Sequence, residues 1–171
     1  AAMNGDADAA SVINTTGLAA PVTTITFSEV PLASGQVVTD QFAAYGVTFG
    51  SASATTGLYY GTSGNPGGEL RNFFPDYNPF SIKFNGTVTE AAFNMISNGS
   101  ADTFSAHRNG ALVDSFSAVT CNWQFYGFTA TVFAEIVVRS GGVSPPSGGY
   151  HMRLHNLQFT ILTPVPLPLS F

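Results

Sequence analysis

Thr103-Phe104-Ser105-Ala106-His107-Arg108-Asn109-Gly110-Ala111-Leu112-Val113-Asp114-Ser115-Phe116 sets two alternating segments on either side of an Asn-Gly dipeptide. Asn-Gly favours the φ > 0 conformations of tight hairpin turns, so this stretch predicts two antiparallel strands joined at Asn109-Gly110. In the second segment Leu112, Asp114 and Phe116 oppose Val113 and Ser115, a mixed pattern suited to a strand exposed on one side.

Segments of the same kind recur in both directions. Upstream are Thr23-Thr24-Ile25-Thr26-Phe27, Gly46-Val47-Thr48-Phe49, Phe80-Ser81-Ile82-Lys83-Phe84 and Glu90-Ala91-Ala92-Phe93-Asn94-Met95-Ile96. Downstream are Phe125-Tyr126-Gly127-Phe128, Ala134-Glu135-Ile136-Val137-Val138-Arg139 and Leu154-His155-Asn156-Leu157-Gln158-Phe159-Thr160-Ile161. Gly, Pro, Asn and Ser separate them, with further Asn-Gly turns expected at Asn85-Gly86 and Asn98-Gly99. Many short alternating strands predict an all-β fold, an antiparallel β-sandwich or jelly roll. The one helical candidate is a short turn within Val38-Thr39-Asp40-Gln41-Phe42-Ala43-Ala44-Tyr45, capped by Thr39 or Asp40 and ended by Gly46.

Three parts are expected: residues 1–22 as an extended N-terminal arm, 23–162 as the sandwich and 163–171 as a Pro-rich tail. The arm lacks sustained periodicity and reads as flexible, although Ser11-Val12-Ile13-Asn14-Thr15-Thr16 has the composition of a strand. Ala1-Ala2-Met3-Asn4-Gly5 shows neither a basic nor an apolar leader region, as expected of a secreted chain after cleavage. The long stretches Ser51 to Pro79 and Ser140 to Gly149 read as loops.

Composition narrows the function. The 171 residues are 44% hydrophobic and only 9% charged, against roughly 25% charged in an average domain, so Ser, Thr, Asn and Gly must cover the surface. A formal net charge of -5, with five Lys and Arg in all, offers no basic stripe for nucleic acid. No apolar run approaches the roughly 20 residues that span a bilayer. Cys121 is the single cysteine, which excludes an internal disulfide and a cysteine zinc site; it is expected to pack as a small apolar residue.

A resemblance adds context. Thr24-Ile25-Thr26-Phe27-Ser28-Glu29-Val30-Pro31 followed by Val38 to Phe49 resembles the opening of exosortase-sorted bacterial surface proteins, and Val165-Pro166-Leu167-Pro168 resembles the start of the PEP-CTERM sorting signal in its VPLP variant. The resemblance runs from about Thr23 to Phe171. It implies a jelly roll of the galactose-binding kind on the surface of a Gram-negative bacterium, with an anchor following the Pro motif.

Candidate chemistry falls into three groups. Sandwiches of this kind often hold a structural Ca²⁺ near the first and last strands, and Glu29, Asp40 and Asn156 are the nominated ligands, with His155 where family members commonly carry Asp. His151 and His155 would lie about 13 Å apart along a strand, too far to share a zinc ion unaided. Carbohydrate chemistry needs aromatic faces beside amides and charged groups, and Tyr59, Tyr60, Arg71, Asn72, Asp76 and Tyr77 supply it, whereas Trp123 and Tyr126 sit in a Phe-rich context that suggests core. Assembly is the third: Ser11, Val12, Ile13, Asn14 and Thr15 form a strand that a neighbouring subunit's sheet edge would accept.

No GxSxG elbow, HExxH helix or P-loop occurs, and scattered acids such as Asp102 with Asp114, or Asp76 with Glu69, do not make a catalytic pair by themselves. The sequence therefore predicts a non-enzymatic extracellular structural or adhesive protein that self-assembles by strand donation or joins other matrix proteins. The alternative is a lectin-like, polysaccharide-binding module.

Overall fold

A computed structural model describes residues 10–51, 58–62, 67–73, 79–97, 101–141 and 150–162. The expected turn at Asn98-Gly99, the loop residues Asp76 and Tyr77 and the tail 163–171 lie outside these residues.

The described chain is an antiparallel β-sandwich, or jelly roll, of twelve strands. They are β1 (Ala10–Asn14), β2 (Thr23–Ile25), β3 (Val37–Val38), β4 (Val47–Ser51), β5 (Leu58–Gly61), β6 (Glu69–Phe73), β7 (Phe80–Ser97), β8 (Ala101–Arg108), β9 (Ala111–Val119), β10 (Gln124–Thr129), β11 (Phe133–Arg139) and β12 (Tyr150–Ile161). One turn of 3₁₀ helix, Ala43–Tyr45, interrupts them. No helix among the described residues is long and apolar enough to cross a membrane.

The 18-residue strand β7 joins the two layers. Its first half lies between β4 and β11, and β8 and β9 extend that first sheet beyond β11. Its second half lies between β12 and β10; β6, β5 and β3 follow outward from β12, and β1 closes the edge beyond β10. The short strand β2 pairs with the later residues of β12.

Alternation explains the core. Phe104 and Ile136 from the first sheet and Met95, Leu154 and Phe159 from the second are all at most 1% exposed and meet in one cluster. Phe93 of β7 meets Phe104 of β8 across the layers at 6.0 Å, and Phe84 meets Phe159 at 5.2 Å. Tyr126 joins this cluster, in agreement with its Phe-rich context.

The hairpin at Asn109-Gly110 forms as the sequence predicts, both residues having positive φ, 51° and 78°. The turn expected at Asn85-Gly86 does not form. There β7 continues from one sheet into the other, because the Asn85 N–H is held by the carbonyl of Gly46 at 2.8 Å and both sides of the strand find partners. Two strands, β5 and β6, occupy the stretch read as loop between Ser51 and Pro79. The short turn does end at Gly46, with φ 92°, but neither Thr39 nor Asp40 caps it with a side chain; the Asp40 carbonyl receives the Ala43 N–H instead.

Part of the arm forms the strand that its composition allows. Ala10–Asn14 pairs with β10 of its own chain, with Ser11 opposite Phe128, Val12 opposite Gly127 and Ile13 opposite Tyr126. Val12 and Leu18 bury against Ala92 and Phe125 in a second small cluster. Asn14 Oδ1 then accepts the N–H groups of Thr16 and Gly17, turning the chain just beyond Thr15. Close packing fixes Gly127, since a Cβ there would run into the Ala91 carbonyl. Cys121, expected inside, is exposed in the bend between β9 and β10, where no strand pairing draws it inward.

Candidate functional site

The outward face of the second sheet carries its polar chemistry. Leu58, Tyr60, Leu70, Met152 and Leu154 point into the core, so by the two-residue period Tyr59, Glu69, Arg71, Arg153 and His155 point away from it. Pairing sets them in rows. Tyr59 lies beside Arg71, Arg71 beside Arg153 and Arg153 beside Ile96. In the next row His155 lies beside Asn94 and Asn94 beside Phe125.

Glu69 organises the centre. It is 1% exposed, and its carboxylate accepts from two guanidinium groups. Arg71 reaches back along its own strand to Oε1. Arg153 reaches across from β12, giving Nη2–H to Oε2 at 2.7 Å and Nε–H at 3.1 and 3.2 Å to the two oxygens. Gly61 makes room for this arrangement, because a Cβ there would collide with the Arg71 guanidinium. A carboxylate can be buried when charge-assisted hydrogen bonds replace its water, and here two cations do so.

Trp123 covers the adjacent row. It directly precedes β10 on the outward side, half-buried, with its ring 4.5 Å from that of His155 and the Arg153 guanidinium carbon 5.5 Å from the ring centre. Between His155 and Phe125, Asn94 is 9% exposed and its buried Oδ1 has no donor. The result is an indole resting on an imidazole and a guanidinium, beside a buried ion triad and an amide acceptor.

Burial holds the His155 imidazole below its ordinary pKa; nearby Glu69 pulls the other way and Arg153 adds to the lowering. The folded state therefore prefers neutral His155. Above the unfolded value of 6.5 both states are neutral; as pH falls below it the unfolded chain binds the proton first, and stability drops until the folded pKa is passed. Thermal midpoints should fall between pH 7.5 and pH 5, and His155→Gln should flatten that slope. An identical slope in the variant would show that other groups carry it.

Not all the expected ligand residues reach this face. Tyr59 and Arg71 do, whereas Tyr60 and Asn72 are turned to the opposite side of the sheet and buried, since they occupy the inward positions of β5 and β6. Asp76 and Tyr77 lie outside the described residues. Sequence reasoning assigned Trp123 to the core and passed over Arg153. The signal was present in the alternation Met152, Arg153, Leu154, His155, which places Arg153 and His155 on one face.

The three nominated calcium residues sit in different surroundings. No hydrogen bond or ion pair among the described residues joins Glu29, Asp40 and Asn156. Glu29 Oε1 accepts from the Thr26 N–H and hydroxyl at 2.7 and 2.9 Å, while Oε2 is buried without a partner, as a ligand oxygen for a hard cation would be. Asn156 is the bulge residue of β12, with φ 51°, one step from the register that pairs Leu157 with Ile25. Asp40 is exposed and takes the Thr39 hydroxyl at 3.3 Å. Among the described residues no three His, Cys, Asp or Glu side chains are grouped so as to hold a metal ion.

Of the paired acids, Asp76 lies outside the described residues, and the other three are placed apart. Glu69 is fully engaged by arginines. Asp102 is buried beneath the Thr120 hydroxyl and the Gly141 N–H, on β8, while Asp114 lies opposite Ala106 on β9.

No family model matches the chain, and no curated protein matches it. Among solved structures it is similar to a mutant of a family 29 carbohydrate-binding module complexed with mannohexaose, with 12% identity over 91% of this chain and 94% of that one and a TM-score of 0.43. A second mutant of a family 29 module aligns with 14% identity over 90% and 93% at a TM-score of 0.42. A likeness at this level does not transfer a ligand.

Proposed function

We propose that this chain is a non-catalytic carbohydrate-binding module whose platform is the outward face of β5, β6, β12, β7 and β10. The observation that carries the reading is Trp123, which lies half-buried against His155 and Arg153 rather than in the core. An indole held on one side by the sheet presents an apolar face to a pyranose ring. Arg153 at the edge of the indole, and Tyr59 farther along the same face, supply hydroxyl partners, as sugar sites require. Extracellular placement follows from this reading and is supported by the sorting-signal resemblance at Val165-Pro166-Leu167-Pro168.

Strand donation is less well supported. It would require β1 to leave β10 of its own chain and give up the burial of Val12 and Leu18.

The test is affinity electrophoresis across a panel of neutral and acidic polysaccharides, with titration calorimetry on any that retards the chain. Trp123→Ala should weaken binding by about 2 kcal/mol, or roughly thirtyfold, the loss expected for an aromatic anchor. Equal affinity in wild type and variant would remove this face as the site.

A further inference from the structure

We propose that β9 is a dimer edge: two copies of this chain pair antiparallel through it, about a two-fold axis at Phe116. Strand β9 ends the first sheet, and among the described residues no strand lies on its other side. An unpaired edge is a template for another strand, and proteins blunt it with Lys, Pro or short length. None of these protects β9. It runs for 9 residues, Ala111–Val119, contains no Lys, Arg or Pro, and leaves Leu112, Val113 and Val119 60%, 38% and 59% exposed. The Ser115 N–H is taken by the Asp114 Oδ1 of its own strand at 2.8 Å, an exposed contact of the kind that serves a strand group facing no neighbour.

A second copy fits because the strand is complementary to itself. Pairing of β9 with β8 is regular from Asp114 to Val119, the register shift lying just before it. Since side chains alternate, the joined sheet keeps both cores on one side only where some residue stands opposite its own counterpart. Asp114, the one charge of β9, decides which. A two-fold at Asp114 would oppose two carboxylates, and one at Ser115 would set each carboxylate against a Phe116 ring. The two-fold at Phe116 places Asp114 beside the copy's Ala118, Ser115 beside its Ser117 and Phe116 beside its Phe116. The two carboxylates are then about 13 Å apart along the strands, beyond the roughly 8 Å screening length of physiological salt. Phe116 gains most, because it is half-exposed at the end of a stack on Phe104 and the copy's ring would cover its open side. Such a dimer continues the first sheet across the axis and leaves the outward faces of both second sheets on one side of the particle. Two sugar sites so placed would reinforce each other on a polymer; that consequence rests on the carbohydrate reading, and the dimer itself does not.

Sedimentation equilibrium on the full chain at rising concentration tests the pairing. A reversible dimer is expected, weak for so small an interface. Ser115→Lys should weaken it about tenfold or more, Lys on an edge being a usual guard against pairing. Asp114→Ala releases the Ser115 N–H and removes the negative charges, and should tighten the dimer. Thermal melts separate loss of pairing from loss of fold, and Asp114→Ala decides by itself should the lysine variant not fold. In a Cys121→Ser background, Ser115→Cys and Ser117→Cys chains should form a disulfide dimer when mixed and not when oxidised separately. A monomer at about 1 mM chain, the weak end of measurable binding, overturns the pairing. A dimer indifferent to both edge variants does so too, as does equal cross-linking of either cysteine chain alone. Each of these outcomes leaves the carbohydrate reading standing, because its platform lies on the other sheet.

Discussion

Glu69→Ala should cost the fold about 3–5 kcal/mol, the range for removing one partner of a buried ion pair. The cost comes from Arg71. Arg153 is partly exposed and its head can move into water, whereas Arg71 is 5% exposed and loses the charge-assisted bond it makes to the carboxylate. Glu69→Gln should cost less, since an amide oxygen still accepts from one guanidinium. Pairing Glu69→Ala with Arg71→Leu should recover part of the loss, because both members of the buried pair are then gone. Urea unfolding of the four proteins, with unchanged m-values, measures this. A loss below about 1 kcal/mol in Glu69→Ala would mean that Arg71 is neutralised by something other than Glu69.

The same triad shows why β6 was not legible. Glu69 and Arg71 are charged residues two apart in a Gly-rich stretch, which by composition is a solvated loop. In the structure they are alternate outward positions of a strand whose inward positions hold Leu70 and Asn72, and their mutual charge makes burial tolerable. A carboxylate's partner can come from a distant strand, as Arg153 does, and local sequence cannot supply that information. The β8–β9 hairpin was legible for the opposite reason: its turn chemistry, alternation and partner are all contiguous. At Asn85-Gly86 the same turn chemistry was overruled, because β7 is held on both sides by strands remote in sequence. Trp123 was misread since its neighbours in sequence are core aromatics while its neighbours in space are His155 and Arg153. Period two, counted back from Phe125 on the outward side, puts it with them.

Phe104→Ala should destabilise the protein by about 3–5 kcal/mol, as deletion of a fully buried aromatic does. Phe104 is 0% exposed and lies between the near-parallel rings of Phe116 at 4.8 Å and Tyr126 at 5.1 Å, with Phe93 at 6.0 Å. These rings belong to β9, β10 and β7, so one side chain ties the β8–β9 hairpin of the first sheet to the second. Phe116 sits at the half-exposed end of the stack, and Phe116→Ala should cost clearly less because no sealed cavity forms there. Phe104→Leu keeps most of the volume and should lose under about 1.5 kcal/mol. Chemical denaturation ranks the three. Equal losses for Phe104→Ala and Phe116→Ala would show that the stack is open along its length rather than sealed at Phe104. Since β10 directly follows Trp123, a core that loosens at Tyr126 should also free the indole, and its fluorescence should move toward that of a solvated tryptophan in Phe104→Ala before global unfolding begins.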